Sequence, residues 1–168
     1  MPVRQHPEFG FDHLGLTVPD LEVAVEFFTR HLGAEVEFTM DRFVDSSGDA
    51  PARLGAPRDA SFALAMLRIG TTRVELLQWW RGPDVEQPDG ADRVAPGPHA
   101  PGCSHLALSV QDAGAAYREL VALPGVRACG GPVTFGEGPT PGLTNAFVQT
   151  PWGLLIELMS WPAASGRH

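Results

Sequence analysis

The phrase HLGLTVPD, residues 13–20, returns 92 residues later as HLALSVQD, residues 105–112. A second phrase, RVELLQWW at 73–80, returns as LIELMSWP at 155–162. The two matches occur in the same order, with ten more residues between the phrases in the first copy than in the second. A sequence that repeats itself folds each copy into the same supersecondary unit, so the repeat constrains the architecture before any residue-level reading. His13 falls on His105, Asp20 on Asp112, Glu75 on Glu157 and Trp79 on Trp161.

Each copy reads as β-α-β-β-β. Short alternating runs at 11–18 and 103–110 predict strands, because period-two patterning gives a strand one buried face. Asp20 and Asp112 stand where a helix N-cap belongs, with a side-chain oxygen ready for the first free backbone N–H groups. Leu21, Val25, Phe28 and Leu32 then recur at helical spacing, as do Ala113, Ala116, Tyr117 and Leu120. Gly33 is expected to end the first helix, and Pro124 with Gly125 the second. Strands are expected at 34–39, 61–69 and 72–79, and again at 126–129, 145–150 and 153–160. The segment at 81–102 is too rich in Pro, Gly and Asp for a regular element and reads as a linker. The organisation is therefore one domain over 1–168, built of a module at 10–80 and a module at 103–161.

Alternation sorts the strand residues onto faces. His13, Gly15 and Thr17 share one face, as do His105, Ala107 and Ser109. Leu14, Leu16 and Val18, with Leu106, Leu108 and Val110, take the other, which suits packing under a helix. In the last strands Glu75 shares a face with Leu77 and Trp79, and Glu157 with Met159 and Trp161. These carboxylates lie in strands apolar on both sides, where an unpartnered charge costs several kcal/mol or is neutralised. Their partner is an arginine, a hydrogen-bond network or a metal. His13, Glu75, His105 and Glu157 together offer two imidazoles and two carboxylates, a mixed set suited to Mn, Co, Ni, Fe or Zn. The alternative is four polar residues satisfied by hydrogen bonds. Leu77, Trp79, Met159 and Trp161 are candidates for a substrate pocket, or else plain core. The Gly- and Pro-rich stretch 130–143 reads as a lid or an ordinary surface loop. His6, His31, His99 and His168 have no repeat partners and are expected to face solvent.

Bulk properties exclude several classes of function. The chain has 168 residues, 43% of them apolar, and a formal net charge of −8, with a pI near 5.1. That balance argues against nucleic acid or an anionic membrane as partner, since both need a basic surface. Cys103 and Cys129 show no metal or redox spacing and are expected as reduced, partly buried thiols. The N-terminal residues lack the apolar core of a signal peptide, and no run approaches a membrane span, so a cytoplasmic protein is expected.

The phrases FDHLGLTVPDLEVAVEFFTRHLG, VELLQW, SHLALSV and FVQTPWGLLIELMSW resemble the vicinal oxygen chelate superfamily, over roughly residues 10–162. That superfamily includes glyoxalase I, methylmalonyl-CoA epimerase, extradiol dioxygenases, and the fosfomycin and bleomycin resistance proteins. The resemblance implies an α+β fold in which two tandem βαβββ modules form a cupped mixed sheet. It also implies metal ligands on the first and last strands of each module, which are His13, Glu75, His105 and Glu157 here. One divalent metal per site (Ni, Co, Mn, Zn or Fe) follows. With two glutamates the set is closest to glyoxalase I and methylmalonyl-CoA epimerase. The implied activity is a metal-dependent isomerase, epimerase or lyase that moves a proton next to a carbonyl of a small-molecule substrate. Glu157 is the first choice for the catalytic base and Glu75 the second. The alternatives are an Fe(II)-dependent oxygenase or a non-catalytic antibiotic-binding protein. No lysine occurs in the chain, and no obvious basic set for glutathione is present. A homodimer is implied; closure of the site within one chain or across two is open.

Overall fold

The computed structural model describes residues 11–82 and 105–162. The chain divides into two compact units, Met1–Arg93 and Val94–His168. Most of the expected linker, with Cys103, His6, His99 and His168, lies outside the described residues.

The first unit runs β1 (His13–Thr17), α1 (Leu21–Leu32), β2 (Glu35–Phe43), α2 (Asp49–Arg53), β3 (Ser61–Ile69) and β4 (Thr72–Trp80). Its four strands lie in the order β1-β4-β3-β2. β1 runs parallel to β4, with Gly15 beside Glu75. The other two pairings are antiparallel. The second unit runs β5 (His105–Ser109), α3 (Ala113–Val121), β6 (Arg127–Ala128), β7 (Val133–Thr134), β8 (Thr144–Gln149) and β9 (Leu155–Ser160). Its order is β5-β9-β8-β6, with β7 also on β8. β5 runs parallel to β9, with Ala107 beside Glu157. Each unit is thus a mixed sheet, and the βαβββ expectation holds with one addition in each: the short helix α2 in the first unit and the two-residue strand β7 in the second.

Helices α1 and α3 start alike. Asp20 has extended backbone and its carboxylate accepts from Val23 N–H; Asp112 does the same for Ala115 N–H. A second tie was not foreseen. Gln78 of β4 accepts from Leu21 N–H at 2.8 Å, and Ser160 of β9 accepts from Ala113 N–H at 3.1 Å. Gln78 and Ser160 both stand three residues after the repeated glutamate, so the last strand of each unit anchors the first turn of its helix. Gly33 closes α1 in the left-handed conformation, at φ 68°, where glycine avoids the Cβ clash.

Several boundaries differ from expectation. α3 stops at Val121 with Ala122 as its cap, before Pro124 and Gly125. The buried stripe of α1 is Ala24, Phe27 and Phe28, so Leu21, Val25 and Leu32 flank the packed face rather than centre it. α2 falls in a segment that composition marks as loop. Asp45 organises the approach to it, accepting from Ser47 and Ala50 N–H. Residues 130–143 are not a loose loop throughout: Val133 and Thr134 pair with Asn145 and Thr144, and Phe135 and Leu143 continue the hairpin. Cys129 is exposed, not partly buried, as a free thiol, because it follows the short edge strand β6.

The core of the first unit collects Val18, Phe28, Leu67, Val74 and Leu76, each at most 2% exposed; that of the second collects Val148, Ile156 and Leu158. Burying an aliphatic or aromatic side chain of this size stabilises by roughly 1.5–3 kcal/mol. These residues alternate with Glu75 and Glu157 along the strands. One face of each sheet is thereby committed to the helix and the other carries the polar groups.

Candidate functional site

Parallel pairing brings each histidine to its glutamate. His13 lies level with Arg73 on β4, and Glu75 stands two residues further along on the same face. His105 lies level with Leu155, and Glu157 again stands two residues on. The gap from His13 Nε2 to Glu75 Oε2 is 3.7 Å. That from His105 Nε2 to Glu157 Oε2 is 3.1 Å. Both imidazoles are more open than the carboxylates they face: 38% against 17% exposed in the first unit, and 48% against 13% in the second. Each unit therefore presents one nitrogen and one oxygen donor at the surface of the sheet face turned away from its helix. Within neither unit, among the described residues, do three His, Cys, Asp or Glu side chains gather in a group that could hold a metal.

The surroundings of the two pairs differ. Asp12 Oδ1 lies 2.8 Å from His13 Nδ1. The hydrogen bond from His13, helped by the charge of Arg73, holds the Asp12 carboxyl below its usual range. With Nδ1 donating to Asp12, the lone pair of a neutral imidazole is left on Nε2, the atom turned to Glu75. This is the arrangement by which a carboxylate orients a metal-binding histidine. In the second unit the added partner is on the glutamate: Asn145 Nδ2 donates to Glu157 Oε1 at 3.1 Å. Phe147, level with Glu157 on β8, sets its ring edge-on to His105, centroids 6.1 Å apart.

Neither Asp12 nor Asn145 emerges from the sequence as a site residue. Asp12 aligns with Ser104, so the repeat gives no signal for it. Asn145 was detectable only as a polar residue that shares a strand face with Phe147.

The candidate pocket residues scatter more widely. Leu77 is 7% exposed, and Met159 is partly buried. Trp79 is half-buried and packs on Phe62, centroids 4.9 Å apart, with Phe43 next in the row. Trp161 follows the end of β9 and is 52% exposed, which rules out the plain-core reading for it. Beyond Glu75 the first unit's face turns ionic: Arg73 and Arg68 both meet Glu37, and Arg68 also meets Glu35. His31 is exposed, as expected.

The family model described as Glyoxalase/Bleomycin resistance protein/Dioxygenase superfamily matches residues 10–158. The chain belongs to this superfamily. It is 40% identical over 155 residues to 2-epi-5-epi-valiolone epimerase from Actinomyces sp, a match covering 91% of this chain and 80% of that protein. A glyoxalase family protein from Bacillus cereus shares the fold with a TM-score of 0.67 at 20% identity, covering 95% of this chain and 98% of its own. Glyoxalase I from Leishmania major, described as trypanothione-dependent, gives 0.57 at 22%, covering 91% and 87%. A fosfomycin resistance protein from Listeria monocytogenes gives 0.58 at 14%, covering 93% and 96%.

Proposed function

We propose that this chain is a divalent-metal-dependent epimerase that inverts a stereocentre next to the carbonyl of a small cyclic ketone. The observation that carries the reading is the repeated His–Glu pair, Nε2 against Oε2 on the open face of each unit. The relative 40% identical over most of both chains supports epimerisation over other reactions of the superfamily, and 2-epi-5-epi-valiolone is the substrate to try first.

His13, Glu75, His105 and Glu157 would hold the metal. The donor chemistry fits: two neutral imidazoles and two carboxylates suit Mn, Co, Ni, Zn or Fe(II), and the contact with Asp12 would orient His13 as a ligand. When bound, such an ion supplies positive charge that polarises a substrate carbonyl. The protein's part is the proton. A glutamate carboxylate takes it from the carbon beside the carbonyl as the C–H electron pair moves toward the carbonyl oxygen. The C–H bond re-forms on the opposite face when the proton is returned. The aromatic row Trp79, Phe62 and Phe43 provides an apolar wall on the same face as Glu75. In this reading the protein acts as a cytoplasmic homodimer.

The test is incubation of the chelator-treated protein with 2-epi-5-epi-valiolone in D2O, with and without Mn(II), Co(II), Ni(II), Zn(II) or Fe(II), followed by NMR. Metal-dependent deuterium uptake beside the carbonyl, with appearance of the epimer, is the expected result. No uptake with any of the five ions sinks the proposal. Light scattering reads the oligomeric state in the same samples.

A further inference from the structure

The two His–Glu pairs are matched in sequence but not in how firmly their glutamates are held. Three differences point the same way. Glu157 has a side-chain donor, Asn145 Nδ2 at 3.1 Å on Oε1, in addition to His105 at 3.1 Å on Oε2. Oε1 is tied by the amide, and Oε2 lies against the imidazole. Glu75 faces His13 at 3.7 Å, beyond hydrogen-bond length. The position in the first unit that corresponds to Asn145 is Leu64. Asn145 pairs with Met159, two residues beyond Glu157, and Leu64 pairs with Leu77, two residues beyond Glu75. Leucine has no hydrogen to donate, so the first unit lacks this tie.

The third difference is room. The residue directly beside Glu75 on the parallel strand is Gly15, whereas Ala107 stands beside Glu157. A Cβ at Gly15 would lie 3.6 Å from Glu75 Oε2 and 3.9 Å from Leu77 Cδ1. That volume is open in the first unit and filled by a methyl group in the second. When a single carboxylate carries the proton from one face of a carbon to the other, that carboxylate must change position. The same chain also needs a carboxylate that does not.

We propose that Asn145 is a positioning residue that fixes Glu157 as a stationary ligand, and that Glu75, untied and beside Gly15, is the movable carboxylate that carries the proton. This inference rests on the metal-dependent epimerase reading above. It reverses the order of the two glutamates that the sequence resemblance implies.

The experiment measures two quantities on full-length protein: Mn(II) affinity by EPR titration without substrate, and deuterium exchange into 2-epi-5-epi-valiolone. Asn145→Leu, which copies the first unit's arrangement, is expected to weaken Mn(II) binding by roughly 10-fold, the lower end of what loss of an outer partner costs a metal site. Asn145→Gln, which keeps an amide donor, is expected to recover part of that loss. Glu75→Gln is expected to bind Mn(II) more nearly like wild type than Glu157→Gln does. It should also lower exchange by about 10²-fold or more, the usual contribution of a general base. Leu64→Asn acts in the other unit and is expected to slow kcat by tying Glu75 down, without weakening Mn(II) binding.

Wild-type Mn(II) affinity in Asn145→Leu overturns the inference alone. So does the opposite ranking of the glutamates, with Glu157→Gln keeping the metal and losing exchange. A wild type that binds no Mn(II) overturns the metal reading and the inference with it. Should the Asn145 variants fail to fold, the two glutamate variants and Leu64→Asn decide the matter.

Discussion

Gly15 offers a graded test of whether the Glu75 carboxylate sits where function needs it. Its backbone is not left-handed, so any side chain is conformationally allowed. Replacement by alanine puts Cβ 3.6 Å from Glu75 Oε2 and 3.9 Å from Leu77 Cδ1, both ordinary contacts. Ala107 shows that the matched site accepts the same methyl. Gly15→Ala is therefore expected to fold normally and to gain about 0.4–1 kcal/mol from lost chain entropy in the unfolded state. Valine is different. Its γ carbons stand about 1.5 Å beyond Cβ and fill two of the three staggered positions. One rotamer turns hydrogen toward the carboxylate; the others bring carbon to within roughly 2–3 Å of Oε2 by that same bond length, and the carboxylate must move. A displacement of about 1 Å at a reacting group costs on the order of 10²-fold in rate, or about 2.7 kcal/mol of barrier. Gly15→Val is thus expected to keep its thermal midpoint near that of wild type while deuterium exchange falls by about two orders of magnitude. Thermal denaturation and the NMR exchange assay read the two quantities separately. Wild-type exchange in a stably folded Gly15→Val protein refutes the argument that crowding at Gly15 displaces a Glu75 carboxylate the reaction needs.

Ser160→Ala leaves the Ala113 N–H unpartnered in a buried setting and is expected to cost about 1–2 kcal/mol. Gln78→Ala uncovers the part-buried Leu21 N–H, which water can reach, and is expected to cost about half as much by the same reasoning. Urea melts check both, and a larger effect at Gln78 refutes the burial argument. Asp12→Ala removes the group that orients His13; Asp12 is 73% exposed, so Mn(II) affinity is expected to fall by about 10-fold rather than 100-fold. Asp45, whose carboxyl is pulled down to about 2, chiefly by the Ala50 N–H and then by Ser47, stabilises the approach to α2 at pH values above its ordinary 3.8. That contribution is lost as pH falls from about 4 toward 2. In Asp45→Asn the acid limb of an unfolding-versus-pH profile should flatten over this window, and an unchanged limb contradicts the assignment.

Much of the fold was legible because the repeat reported it twice. A strand's alternation, an Asp at each helix start and a glycine after α1 are local signals, and local sterics decide them. The elements that escaped notice are those whose cause is not local. α2 is five residues in a segment of polar and turn-forming types, and the turn leading into it is tied by Asp45. β7 is two residues that become a strand by pairing with β8. Cys129 has the composition of a buried residue but follows an edge strand. Among the site residues, His13, Glu75, His105 and Glu157 stood out as potential ligands at matched positions. Asp12 and Asn145 did not, because each occurs in one copy of the repeat.

By itself, the sequence determined that the chain is built of two βαβββ units, with a histidine on the first strand of each, a glutamate on the last, and a helix between. Periodicity and capping are properties of neighbouring residues, so they can be read along the chain. The tertiary structure alone decided which atoms meet. Parallel register sets His13 Nε2 3.7 Å from Glu75 Oε2 and His105 Nε2 3.1 Å from Glu157 Oε2. Antiparallel register brings an amide to the second glutamate and a leucine to the level of the first one's neighbour. Strand pairing is a choice between segments far apart in the chain, made by packing a whole face at once. The inequality of the two halves is therefore visible only once that packing is in place.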